Sequence, residues 1–338
     1  WIASGVGMAM LERGGNAFDA AVAIGFVLQI VEPHLCGPAG EVPIIFRSAR
    51  ADRPAVLCGQ GVAPAAASIE RMRSMNLDMV PGSGLIAAVV PGSFDAWMTL
   101  LRDHGSMRLA EVLEPAIHYA EAGHPLLPGV SRAIADVADA FRNEWPTSAP
   151  IWLPNNEVPA PHQLFRNPTL AATWRRIVSE AGEGTREQQI ERARAAWSSG
   201  FVAEAIDRFC RTQELMDASG ERHKGLLTGD DMARWQASYE APQTFRYGDW
   251  TFHKTGPWGQ GPVLLQTLSL LAGYDLSRLP ASDPEFVHVV LEALKLAFAD
   301  REAYYGDPNF THIPVDALLS ESYAAERRKL IGQSASHE

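Results

Sequence analysis

Between Asn16 and Pro33 the chain encodes a helix with no face left over for water. Gly14-Gly15 breaks the preceding segment, and the Asn16 side chain can accept from the free N–H groups of a first helical turn. Asp19, three residues on, sets a carboxylate at the positive end of that turn. From Ala20 to Val31 the sequence reads AAVAIGFVLQIV, apolar on nearly every side, so a helix built from it must be covered all round. A bilayer span needs about 20 such residues, and Asp19 and Glu32 close this run well short of that. The spacing predicts a helix buried in protein and stopped at Pro33, with the rest of the chain arranged around it.

Ile2 to Arg13 reads as a first helix closed by Gly14. Val42–Phe46 and Ala55–Leu57 read as a hairpin joined by polar residues 47–53, and a helix is expected from near Ala65. Leu85–Val90 is apolar without interruption and reads as a buried strand; Ser93–His104 and Leu109–Ala122 read as helices. Residues 128–221 carry helical patterns with many charges and a Pro-rich break at 152–161, which predicts an outer helical layer. A strand at Tyr247–Lys254, a glycine-rich loop, a helix at Val263–Gly273 and a long helix at Phe286–Tyr305 follow. No repeat or linker divides the 338 residues, so one domain over 1–338 is expected.

The balance of charge and chemistry excludes several classes. A net charge of -11 argues against a general nucleic-acid binder, and 46% hydrophobic residues allow a large core. Three cysteines, Cys36, Cys58 and Cys210, are too few for a disulfide framework, and no histidine is spaced from a Cys or carboxylate as zinc ligands are. No metal or other cofactor is expected. Gly59-Gln60-Gly61-Val62-Ala63-Pro64 starts like a dinucleotide fingerprint but places Pro where the third glycine must stand. No G-x-S-x-G elbow, H-E-x-x-H or P-loop occurs. Glu292, Lys295, Asp300 and Arg301 read either as an acid/base group or as a structural ion-pair network, and the spacing favours the network. His34, where the buried helix runs into a glycine turn, reads as a packing residue with a site role as the competing assignment. Trp1 opens directly into a helical pattern with no leader in view, which leaves cytoplasm and periplasm both open.

The motifs converge on one family. Gly14-Gly15-Asn16-Ala17-Phe18-Asp19-Ala20-Ala21-Val22-Ala23, Val31-Glu32-Pro33-His34, Val90-Pro91-Gly92-Ser93, Leu113-Glu-Pro-Ala-Ile117, Leu164-Phe-Arg-Asn-Pro168, Gly225-Leu-Leu-Thr-Gly-Asp-Asp231 and Glu292-Ala-Leu-Lys-Leu-Ala-Phe-Ala-Asp-Arg301 resemble the γ-glutamyltranspeptidase family, in its order. The resemblance implies the α+β, four-layer αββα sandwich of the N-terminal-nucleophile hydrolases, this chain supplying much of the helical layers and part of the sheets. It implies a precursor that cuts itself into a large and a small subunit, the nucleophile being a threonine that heads the small one. The run Gln333-Ser-Ala-Ser-His-Glu338 falls where the family's large subunit trails off, so this chain is expected to be a large subunit with no catalytic residue of its own. The implied partners are that small subunit, in an obligate heterodimer that could pair again, and a small-molecule amide; neither nucleic acid nor membrane is implied. A terminal threonine can use its own α-amine as general base, so the implied chemistry needs no cofactor.

The departures fall where the family reads its substrate. An arginine in an Arg-Glu-Thr-Ala-Pro run usually grips the α-carboxylate of the γ-glutamyl group; the matching run here is Gln60-Gly61-Val62-Ala63-Pro64. A glutamine amide cannot supply the paired charge-assisted bonds of a guanidinium, a loss of about 1.5–3 kcal/mol. The glycine-rich turn after His34 reads Leu35-Cys-Gly-Pro-Ala-Gly-Glu-Val-Pro43, and the Pro-Ser-Ser-Gly-Gly run reads Gly256-Pro-Trp-Gly-Gln-Gly-Pro262. The resemblance thus implies substrate-binding roles for Gln60, Gly61, His34, Gly37 and Trp258. It implies cleavage of a γ-glutamyl or similar small acid amide, with oxamate-like or glutaryl acyl groups as the alternative and an inactive scaffold as the competing class.

Overall fold

The computed structural model describes residues 1–336. Helix makes up 52% and strand 9% of the chain, so what it contributes to the fold is mainly helical. In chain order the elements are α1 (Ile2–Glu12), α2 (Ala17–Val31), β1 (Val42–Phe46), β2 (Ala55–Gly59), α3 (Ile69–Ser74), α4 (Ser93–His104), α5 (Leu109–Ala122), β3 (His124–Pro125) and α6 (Pro128–Asn143). They continue with α7 (Ala149–Trp152), β4 (Leu164–Phe165), α8 (Pro168–Ala181), α9 (Arg186–Ser198), α10 (Phe201–Thr212), β5 (Leu215–Met216), β6 (Arg222–His223), α11 (Gly229–Arg234) and β7 (Ser238–Glu240). The last are β8 (Gln243–Tyr247), β9 (Trp250–Lys254), α12 (Gly261–Leu271), α13 (Pro284–Tyr304), α14 (Val315–Leu318) and α15 (Glu321–Arg328). Two compact units are present, Trp1–Val42 with Cys58–Ser238, and Pro43–Leu57 with Tyr239–Glu338.

In the first unit α2 is central for the reasons its sequence gives. Asn16 Oδ1 accepts from Phe18 N at 2.8 Å and Asp19 N at 3.2 Å, and Asp19 Oδ2 accepts from Asn16 N at 2.8 Å, a reciprocal cap. Asp19 also accepts from the backbone of Ser106 and Met107 and from the Ser106 hydroxyl, at 2.7–3.0 Å, which ties the start of α2 to the turn before α5. Burial pushes the Asp19 carboxyl up, but these donors outweigh it and hold it below the usual carboxylate range. Past the cap, Phe26 meets Phe94 of α4 and Trp174 of α8 edge-on, at 5.8 and 5.3 Å between ring centroids. Trp197 of α9 stacks on Phe94 at 4.6 Å. Residues 128–221 are mainly helical as expected, but not wholly peripheral: Trp174 of α8 and Trp197 of α9 are buried against rings of α2 and α4, and α9 buries Arg194 as well.

Two further expectations are corrected here. The helix expected near Ala65 begins at Ile69, where Ser68 Oγ accepts from Arg71 N at 3.1 Å; Ala65 lies in a turn that Ala67 N closes on Pro64 O at 2.8 Å. Leu85–Val90 is no strand: Leu85–Ala87 form a single 3₁₀ turn, and the backbone bond the segment makes beyond its own turn runs from Val90 N to Val62 O at 3.0 Å. An apolar run becomes a strand only where a neighbour offers a ladder, and only Ile86 and Val90 of this run are buried.

The second unit carries strands in the order β1-β2-β7 and a separate β8–β9 hairpin. The expected single strand at 247–254 is that hairpin's second half; Tyr247 pairs with Trp250 across a two-residue turn in which Gly248 has φ 58. α12 packs on α13 through Leu270, Leu271, Val289 and Ala293. Buried Asp300 accepts from Gln266 at 2.8 Å, from the Tyr323 hydroxyl at 3.0 Å and from Arg327 at 2.9 Å. Lys295 pairs with Glu292 at 2.6 Å and Arg301 with Glu302, so these α13 charges are spent inside their own unit. Beside Asp300, burial and then the carboxylate hold the Tyr323 phenol up at about 12.

Candidate substrate-binding loops

Gln60 is fixed by its neighbours' lack of side chains. Past the end of β2 the chain crosses residues 90–93 with backbone against backbone. A Cβ on Gly61 would stand 1.6 Å from Val90 O, and one on Gly92 would stand 2.4 Å from Gly59 O. A Cβ on Gly59 would meet Val42 O and the Ala96 methyl at 2.6 Å. With Val90 N bonded to Val62 O at 3.0 Å, the path of residues 59–62 is closed to adjustment. Among the described residues the half-buried Gln60 side-chain amide has no hydrogen-bond partner, so its donor and acceptor are open to a ligand.

The segment that Gln60 lies on is itself anchored. Trp197 Nε1 donates to Pro91 O at 3.2 Å, and Asp95, at the start of α4, receives Arg194 through Nε at 2.7 Å and Nη2 at 3.1 Å. Ala237 N completes the Asp95 carboxylate at 2.8 Å. Both partners are buried, and although burial alone would push the Arg194 guanidinium down, the bonds and charge of Asp95 and Glu191 hold it above its usual value. Ser93 then fixes the turn that follows α2: its N donates to Gly40 O at 3.0 Å and its hydroxyl to Pro38 O at 3.3 Å. Gly37 closes that turn, its carbonyl accepting from Gly40 N at 3.1 Å.

Of the five residues singled out from the sequence, Gln60 and Gly61 lie on the backbone packed against residues 90–92, and Gly37 is in the turn that Ser93 holds through Pro38 and Gly40. His34 is placed apart from them, exposed at the lip of an apolar groove lined by Val130, Ile134, Phe141 and Trp152. Trp258 belongs to the second unit, where its indole N–H donates to Glu240 Oε2 at 2.7 Å and the turn around it closes with Gly259 N on Gly256 O at 3.2 Å. Sequence reasoning missed Asp95, Arg194 and Trp197 as supports. Their signal was half present, since the Val90-Pro91-Gly92-Ser93 motif marks the segment, but nothing local links positions a hundred residues apart. Among the described residues no three His, Cys, Asp or Glu side chains converge as metal ligands would, and no helix is long and apolar enough to cross a membrane.

A chain whose glycine crossing and capped central helix carry the γ-glutamyltranspeptidase motifs can be compared directly with known proteins. Residues 3–338 match the model of the family described as Gamma-glutamyltranspeptidase, and the chain belongs to that family. The acylase ACY 1 proenzyme of Pseudomonas sp. (strain SE83) is 32% identical over 340 residues, covering 98% of this chain and 57% of the relative. The solved structure of LmbA2991HD is 53% identical with a TM-score of 0.93, covering 100% of this chain and 57% of that one. The Helicobacter pylori gamma-glutamyltranspeptidase structure is 26% identical with a TM-score of 0.85, over 99% of this chain and 91% of that one. These neighbours give the chain the fold class expected from its sequence, the α+β, αββα sandwich of the N-terminal-nucleophile hydrolases. The chain spans 57% to 59% of the length of the first curated relatives it matches.

Proposed function

We propose that this chain is the large subunit, a single domain over residues 1–338, of a self-cleaving amide hydrolase or acyltransferase. Its partner is a small subunit cut from the same precursor, in an obligate heterodimer, and the nucleophile is a threonine heading that subunit. The threonine oxygen attacks the amide carbonyl while its α-amine takes the hydroxyl proton; the C–N bond breaks and the amine leaves with a proton. Water then resolves the acyl-enzyme to an acid, or a second amine resolves it to a new amide. No metal or organic cofactor enters, and the large subunit contributes binding groups only. That relatives are proenzymes, one of them an acylase, supports this reading.

The observation that carries the choice of substrate is Gln60, a neutral amide on an immobile backbone at the position where the family sets an arginine. A buried guanidinium without a carboxylate partner is costly. Glutamine at this place therefore favours an acyl group with no carboxylate at that end; oxamate-like and glutaryl amides, which keep a carboxylate but lack the γ-glutamyl amino group, are the second reading. The test is expression of the full-length precursor and turnover of an amide panel. Self-cleavage into two chains, with hydrolysis that survives exhaustive chelation, is the expected result. A precursor that never cleaves, or activity that dies on chelation and returns with zinc, refutes the reading.

A further inference from the structure

A cavity of about 490 Å³ opens beside the Gln60 crossing, a size suited to a small organic ligand. It adjoins that crossing on both segments: Ala63 and Pro64, just past Gly61, form one wall, and Val89, just before Val90, forms another. Its floor is the buried cluster of Met72, Leu77 and Ile86. Met79 and Val80, 82% and 57% exposed, stand over it as apolar side chains without cover.

Two charges sit at this otherwise apolar mouth, Arg73 and Asp78, and neither has an ion-pair partner among the described residues. A permanently charged guanidinium beside an apolar floor fits a ligand whose hydrocarbon body enters the groove and whose carboxylate stays at the lip. Asp78 at the same lip repels a second negative group. The geometry points to a binding subsite for an apolar monocarboxylate, or the matching part of a substrate, seated on Met72, Leu77 and Ile86 with its carboxylate on Arg73. Resting on the reading of residues 59–61 as a substrate loop, it names the substrate class: recognition moves from the family's loop arginine to an apolar groove with its own cation, whose lining starts at Ala63, two residues along the chain from Gly61.

The experiment measures binding by titration calorimetry on the full-length, processed protein, with 4-phenylbutyrate, its neutral primary amide and the dicarboxylate suberate as probes. Phenylbutyrate should bind about tenfold more tightly than its amide, the worth of one hydrogen bond to a charged group, and suberate should bind more weakly than phenylbutyrate. Arg73→Gln, a surface change that leaves the floor intact, should erase the acid-over-amide preference. Ala88→Trp, which fills the cavity, should abolish binding of both. Equal affinity for acid and amide in the unsubstituted protein, binding that survives Ala88→Trp, or no binding at all because a companion chain covers the groove, each overturns the proposal. Binding is read without turnover, so a protein that holds phenylbutyrate as described but hydrolyses no amide contradicts the proposed reaction and leaves the subsite standing.

Discussion

The loop at Gln60 and the loop at Trp258 are both glycine-rich, both depart from the family's sequence, and differ in what a side chain adds to the hold of the backbone. At residues 59–62 main chain lies on main chain, and no side chain of the loop helps to fix it. At residues 255–261 the backbone also closes on itself, Gly259 N on Gly256 O, but the indole of Trp258 is bonded to Glu240, so a side chain shares the holding. The first arrangement leaves its middle residue exchangeable while making its glycines irreplaceable; the second makes its aromatic residue structural. A change of side chain is therefore cheap at position 60, where Gln can replace Arg without disturbing the backbone.

Substitutions can break this contrast, and the largest effect is expected at Gly61. Gly61→Ala sets a methyl where Val90 O already stands, so the processed protein should lose more than about 4 kcal/mol in urea unfolding or fail to accumulate. A well-folded Gly61→Ala protein would show that the crossing yields. Next comes the brace under the crossing: Arg194→Met leaves the Asp95 carboxylate buried with only Ala237 N as partner and should cost about 3–5 kcal/mol. Trp258→Phe removes one bond to a charged acceptor and should cost about 1.5–3 kcal/mol in the same assay. Gln60→Ala should change stability by less than about 0.5 kcal/mol, and a large loss there would mean that the glutamine amide supports the fold after all.

What the sequence made legible follows from range. The capped start of α2 and the ends of α4 and α5 depend on residues within one or two turns, and they stand where the pattern puts them. The run at 85–90 depends on whether another segment offers a ladder, and none does, so hydrophobicity alone misassigned it. Trp174 and Trp197 lie in helices dense with Arg and Glu, and their burial shows only once α2 and α4 present Phe26 and Phe94 to them. At the candidate site the motif located position 60, but the reason its backbone cannot move lies in Val90 and Gly92, thirty residues away in sequence.

The central claim is that position 60 sets acyl preference on an unyielding frame, and steady-state kinetics of the processed enzyme with and without Gln60→Arg tests it most directly. With a γ-glutamyl anilide and the anilide of an uncharged acyl group such as butyryl as paired substrates, the unsubstituted enzyme should prefer the uncharged acyl group in kcat/KM. Gln60→Arg should move the ratio toward the γ-glutamyl substrate by roughly ten- to a hundredfold, the worth of a charge-assisted pair, with unfolding unchanged. An unsubstituted enzyme that prefers the γ-glutamyl anilide, and whose ratio does not move in Gln60→Arg, would contradict the account.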